Sequence, residues 1–174
     1  MIVVQLTATH EYFRLLSPTY AAMPLSGMGA AVRGGRFNRP GQEALYLADT
    51  VVTAAAEYQQ DNPWLPPGVL CTYQVTGLRL ADLTLGYDPM RWAPVWAQHA
   101  IDWRAVVFHK GAVPPTWLIA DSVLQAGLDG IAFPSKANPG GSNLVIYRSS
   151  QRPASQLAVH DPQDILPRIR IEPE

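Results

Sequence analysis

At 174 residues and a net charge of −1, the chain has the size of one domain over residues 1–174 and carries no general electrostatic pull toward nucleic acid or acidic membranes. Charged residues make up 16% and apolar residues 48%, while 16 prolines and 13 glycines supply many fixed turns; this excludes a disordered chain and describes a globular one. The longest apolar runs are too short to cross a bilayer, Cys71 has no partner for an internal disulfide, and MIVVQLTATHEYF lacks the basic start and long apolar run of a secretory signal, so a cytoplasmic protein is expected.

Taken in chain order, Ile2 to Leu6 and Glu11 to Leu16 read as strand or turn segments, and Pro18 to Val32, rich in Ala, Met and Gly, as an irregular approach to an arginine loop that opens at Gly34. Ala44 to Ala48 reads as a strand, and Asp49 or Thr50 can cap a helix running through Tyr58 or Gln60. Val69 to Val75 and Leu80 to Leu83 are strands by alternation; Pro89 to Ala100 is expected to be helical despite Pro94. Pro114 to Ala126 reads as a helix with Pro115 in its first turn and Gly127 past its end. Gly130 to Phe133, Asn143 to Arg148 and Leu157 to His160 are three β-rich segments, the first two separated by PSKANPGGS. Strands outnumber helices without a steady βαβ rhythm, which argues for an α+β fold.

The chemistry concentrates between Gly34 and Glu57, in GGRFNRPGQEALYLADTVVTAAAE: an arginine loop between glycines, a strand bearing Tyr46, then a helix bearing Glu57. Eleven of the basic residues are arginine, against only Lys110 and Lys136, and Arg33, Arg36 and Arg39 fall close together. Arginine's planar fork matches phosphate oxygens two at a time, so a cluster on a glycine-rich loop favours a discrete phosphate ligand over a diffuse basic surface. The tyrosine offers a ring face, and the carboxylate one helix later can touch a sugar hydroxyl or a developing cation. That inventory suits a nucleotide. Each residue also has a plainer use: a helical glutamate is usually solvated, Tyr46 between Leu45 and Leu47 can be a packing residue, and Asn38 with Pro40–Gly41 can make a simple turn.

The wording of these segments resembles the RES domain family, named for its Arg, Glu and Ser. Gly34, Gly35, Arg36, Phe37 and Asn38 match its opening segment, Leu45, Tyr46 and Leu47 its strand, and Glu57 its helical glutamate; the third named residue is Ser135 in FPSKANPGGSN, with Asn143 after it. The resemblance spans about Arg14 to Arg148, and the ordered set of segments is far more specific than any one of them. It implies an ADP-ribosyltransferase-like α+β domain with a split β core and flanking helices. It also implies a bacterial toxin that acts on NAD and is held inactive by a cognate antitoxin. On that resemblance Glu57 stabilises the cation formed as the nicotinamide–ribose bond breaks, and Arg36 holds the pyrophosphate. Tyr46 stacks on the nicotinamide or bonds the ribose, Ser135 donates to the nicotinamide amide or a ribose oxygen, and Arg14 is a second pyrophosphate ligand.

Family members either transfer ADP-ribose to a protein or consume NAD with water or phosphate; protein ADP-ribosylation is the outcome favoured here, with NAD glycohydrolase or phosphorylase action the alternative. A rival of another class is a non-catalytic module binding a nucleotide or partner, and Glu57 discriminates, since binding alone rarely needs a carboxylate beside a pyrophosphate. His10, His99, His109 and His160 are scattered without paired spacing, so no metal is expected. The phosphate-loop and nucleophile-elbow motifs are missing, and Gly27–Met28–Gly29 fails as a dinucleotide fingerprint because Val32 occupies the third glycine position. Cys71 reads as a small core residue, and the five tryptophans as core packing more than partner surface.

Overall fold

Eight strands carry the fold in a computed structural model that describes residues 1–168: β1 (Val3–Gln5), β2 (His10–Leu16), β3 (Ala44–Ala48), β4 (Val69–Thr76), β5 (Arg79–Asp82), β6 (Gly130–Pro134), β7 (Ser142–Tyr147) and β8 (Gln156–Val159). They form one sheet in the order β1-β5-β6-β7-β3-β2-β4-β8. Only β5 and β6 run parallel; every other neighbouring pair is antiparallel. Three α-helices complete the α+β architecture: α1 (Met28–Arg33), α2 (Val51–Gln59) and α3 (Pro115–Gln125). No helix of the described residues is long and apolar enough to cross a membrane.

The sheet is narrowest in its middle. β3 pairs with β7 from Ala44↔Tyr147 to Ala48↔Asn143, and β2 pairs with β4 from His10↔Val75 to Leu16↔Val69, but β2 and β3 meet only at Phe13↔Ala48. The expected split of the β core is this break. Two apolar clusters cover the two faces, sorted by strand alternation. Leu45, Leu47, Leu144 and Ile146 pack with Tyr73 and Val75 on one face. On the other, Phe133 and Val145 pack with Phe37, Trp92, Trp96 and the apolar side of α3, Ile119 and Val123. β3 and β7 lie in the middle of the sheet and are apolar on both faces, which is why ALYLA and NLVIY read so clearly as strands.

The helix ends follow local chemistry. Thr50 caps α2, its hydroxyl accepting from the Thr53 amide at 3.1 Å, while Asp49 accepts from both the amide and hydroxyl of Ser142, at 2.8 and 3.0 Å. α3 starts with Pro115 in its first turn and is followed by Gly127 at φ 65°, as its sequence indicates. Two expectations need correction. The stretch 18–32 is not simply irregular: it ends in α1, which has no side-chain cap and is held by tertiary contacts, Gly27 N–H to Glu43 at 3.0 Å and Asn38 to the Ala30 carbonyl at 2.9 Å. The stretch 89–100 is not an α-helix. Pro94, which has no N–H to give to a preceding turn, opens a short 3-10 helix at Pro94–Gln98, and Trp92 and Trp96 pack ring to ring with centroids 4.3 Å apart. Four tryptophans are buried and Trp64 is exposed; Cys71 is buried in the core.

Close packing at β6 generates a stability prediction. A Cβ on Gly130 would overlap the Val145 carbonyl of the neighbouring strand, whose backbone cannot yield, whereas a Cβ on Gly29 in α1 meets nothing within 4 Å. Gly130→Ala is expected to lower unfolding free energy by about 1–3 kcal/mol in chemical denaturation, and Gly29→Ala to be neutral or to raise it by up to about 1 kcal/mol.

Candidate active site

The floor of the site is one cross-strand row. Phe133 on β6 sits opposite Asn143 on β7, Asn143 opposite Ala48 on β3, and Ala48 opposite Phe13 on β2. All four side chains line a cleft of about 1110 Å³ that opens where the β2–β3 ladder stops. A volume at the top of the range for small-molecule sites suits a ligand as large as a dinucleotide. Arg14, Arg33, Arg36, Tyr46 and Glu57 line it too. A separate concavity of about 710 Å³, between Arg39, Asp121 and Arg148, takes Arg39 of the arginine cluster but neither Arg36 nor Glu57.

The arginine loop is a tight turn closed by the Gly35 N–H bonding the Asn38 carbonyl at 2.9 Å. Three more of its backbone groups, and the Asn38 side-chain oxygen, are met by aromatic residues from three elements. The Tyr46 hydroxyl accepts from the Phe37 amide at 3.0 Å and donates to Asn38 Oδ1 at 2.8 Å. The Tyr147 hydroxyl donates to the Phe37 carbonyl at 2.8 Å, and the Trp117 indole to the Gly35 carbonyl at 2.9 Å. Phe37 is fully buried, edge-on to Phe133 with centroids 4.8 Å apart. Gly35 is required here because a Cβ would run into the Tyr46 hydroxyl and Asn38 Oδ1.

Arg36 is therefore the one side chain of this turn left to the cleft. Its guanidinium lies 5.8 Å above the Phe133 ring and makes no ion pair or hydrogen bond among the described residues. Burial pushes its pKa below the usual arginine range, and Glu57 opposes that shift. A half-buried, unpaired guanidinium is an anion site waiting for a partner. The expected three-arginine cluster is only partly realised. Arg33 is exposed at the cleft, but Arg39 turns away, its Nε and Nη2 donating to the two carboxylate oxygens of Asp121 at 3.2 and 2.6 Å and its guanidinium standing over Trp117. Arg39 is a clamp between the loop and α3. Arg14 lines the cleft, donating to the Ser26 carbonyl at a long 3.4 Å with Tyr73 beside it, and burial lowers its pKa.

Glu57 gathers the distant candidates. Its Oε1 accepts from Ser135 Oγ at 2.8 Å and from Asn143 Nδ2 at 2.6 Å, and no bond among the described residues falls on Oε2. Ser135 Oγ in turn accepts from the Asn138 amide at 3.0 Å, so the serine stands behind the carboxylate and aims it. Asn138 Nδ2 donates to Thr53 Oγ1 at 2.9 Å, and Thr53 shares a 2.8 Å bond with Thr50. The loop 135–141 is thus bolted to α2, on the face that carries Glu57, because Thr53 lies four residues earlier. Sequence reasoning missed Thr53 and Asn138; the Thr-x-x-x-Glu spacing on the helix is the signal that could have found the first. Tyr46 presents its ring to the cleft while both roles of its hydroxyl are taken by the turn, and burial drives its pKa well up. Among the described residues, no three of His, Cys, Asp or Glu converge as a metal set would.

Taken together, the split sheet brings Arg36, without a partner among the described residues, and the braced Glu57 into one cleft. The chain belongs to the RES domain family, which matches residues 11–169. Its fold is similar to a chain in the crystal structure of the M. tuberculosis MbcT–MbcA toxin–antitoxin complex, with a TM-score of 0.61 and 21% identity, over 90% of this chain and 84% of that one. No curated protein sequence matches.

The bolt on α2 makes a direct prediction. Thr53→Val keeps the shape but leaves Asn138 Nδ2 without an acceptor, and should cost about 1–3 kcal/mol of stability, whereas Thr53→Ser should retain most of it; thermal and denaturant unfolding of the two variants distinguish them.

Proposed function

We propose that this protein is the toxin of a bacterial toxin–antitoxin pair, acting in the cytoplasm, which cleaves the nicotinamide–ribose bond of NAD and transfers ADP-ribose to a cellular protein. The observation that carries the reading is the pairing of an unpaired Arg36 with a Glu57 whose Oε1 is held by Ser135 and Asn143. As the glycosidic C–N bond breaks, its electron pair leaves with nicotinamide and the ribose becomes a cation. Glu57 Oε2 accepts from a ribose hydroxyl and stabilises that charge, while Arg36 grips the pyrophosphate so that the bond sits at the carboxylate. Tyr46 holds the arginine turn and offers its ring to the ligand; Ser135 and Asn143 fix the carboxylate's direction. Arg14 supplies a second cation for the phosphates.

A second reading, consumption of NAD by water or phosphate, is supported by Arg33, exposed at the cleft and without an ion pair among the described residues, where it can receive a phosphate acceptor. Incubating the protein with labelled NAD in water, in phosphate and with cell extract identifies the acceptor by its product. Partnership with an antitoxin is supported by the family and by the toxin–antitoxin complex that holds the similar fold. The protein expressed alone is expected to arrest growth, and co-expression of the adjacent gene to protect the cell.

Two substitutions test the roles. Glu57→Gln keeps an acceptor for Ser135 and Asn143 but removes the charge, so nicotinamide release should fall by about a hundredfold or more while NAD affinity stays within about threefold; turnover near that of the parent would remove Glu57 from the mechanism. Arg36→Lys supplies a point charge in place of a two-pronged grip and should weaken NAD binding by about tenfold or more, nearly as much as Arg36→Ala.

A further inference from the structure

One wall of the cleft comes from Ile101 to Phe108, a segment that no recognised motif covers. Its core is a π-helical turn at Ala105–His109, entered through Asp102, whose side chain accepts from the Ala105 amide at 3.1 Å. Such turns are uncommon and often stand at functional sites. Lys136, beside Ser135, donates to the Ala100 carbonyl at 2.9 Å and ties this wall to the loop that braces Glu57.

Five residues of the segment line the cleft, Ile101, Asp102, Trp103, Arg104 and Phe108, and three of them carry a ring or a cation: Trp103, Arg104 and Phe108. Trp103 is buried, with Arg104 Cζ 5.1 Å from its ring and the Phe108 ring 6.3 Å away. Phe108 is 66% exposed, a large apolar ring held at the cleft with one aromatic neighbour. Arg104 has no carboxylate partner among the described residues, and it lies near enough to Arg36 to disfavour that residue's charge. Two unpaired guanidiniums facing one cleft are relieved by an anion that both can reach.

Depth decides which end of a dinucleotide this wall receives. Ser135 and Asn143, at the braced carboxylate, are 7% and 6% exposed, whereas Phe108 stands in solvent at the mouth. On the reading that Glu57 acts on the nicotinamide ribose, that ribose lies deep and the adenosine is left at the mouth. We propose that Phe108, backed by Trp103, stacks the adenine, and that Arg104 pairs with the adenosine-side phosphate while Arg36 holds the other. This inference rests on the NAD reading of the same site.

The test measures ADP-ribose binding by calorimetry for the parent, Phe108→Ala, Phe108→Tyr and Arg104→Gln, with NAD cleavage followed in parallel and thermal unfolding confirming that each variant is folded. Base stacking of about 1–3 kcal/mol per base predicts that Phe108→Ala weakens ADP-ribose by about fivefold to a hundredfold or more. Phe108→Tyr should stay within about threefold, since it keeps the ring. The loss in Phe108→Ala should reappear as a higher KM for NAD with a smaller change in kcat, and Arg104→Gln should weaken binding and reduce its salt dependence. If the parent cleaves NAD and Phe108→Ala binds ADP-ribose as the parent does, the adenine site is overturned while the NAD reading stands, and the ring belongs to a protein-docking surface. Adenine-dependent binding lost in Phe108→Ala without any NAD cleavage supports the base site and removes the reaction; a parent that neither binds nor cleaves overturns both.

Discussion

The site depends on how the turn Gly35–Asn38 satisfies its polar backbone. A buried turn must find partners for its N–H and C=O groups, and three of this one's rest on aromatic side chains: the Phe37 N–H on the Tyr46 hydroxyl from β3, the Phe37 carbonyl on the Tyr147 hydroxyl from β7 and the Gly35 carbonyl on the Trp117 indole from α3. Because those partners come from three separate elements, the turn has one position relative to the sheet. Phe37 plugs inward and Arg36 points outward, alternation within a turn that leaves a single cation free. Tyr46 is therefore best understood through its hydroxyl, which joins the turn to β3, as much as through the ring it offers a ligand.

The carboxylate is fixed with the same economy from the other side. Asn143 lies in the row that joins the two halves of the sheet, directly opposite Ala48, so the residue that bonds Glu57 also marks where the β2–β3 ladder ends. The break in the ladder opens the cleft, and the row beneath it supplies the floor. Thr53 and Asn138 add a second tether from α2 to the loop 135–141, and Gly141 is needed because a Cβ there would run into Thr53. Together these bonds hold one carboxylate in a single direction within the cleft.

Local signals made much of this legible. Short continuous apolar runs mark β3 and β7 within a residue or so of their ends, Thr50 announces α2, and Pro115 with Gly127 brackets α3. What was illegible is tertiary in origin. α1 lacks a cap of its own and is held by Glu43 and Asn38. Arg39 shares the spacing of its neighbours, yet its partner Asp121 lies 82 residues further along and turns it away from the cleft. Ser135 and Asn143 were candidates by motif, but that both converge on one oxygen of Glu57 is a property of sheet register, which no single segment carries. The wall from Ile101 to Phe108 has no local pattern that distinguishes it from a surface loop.

Whether one ligand spans Arg36 and Glu57 is read from a crystal structure of the E57Q protein with NAD bound. Pyrophosphate oxygens are expected within hydrogen-bond distance of Arg36 and a hydroxyl of the nicotinamide ribose on the side chain at position 57, over the floor formed by Phe133, Asn143, Ala48 and Phe13. NAD lying elsewhere, in the concavity between Arg39 and Asp121 for example, or reversed with adenosine at position 57, would contradict that placement.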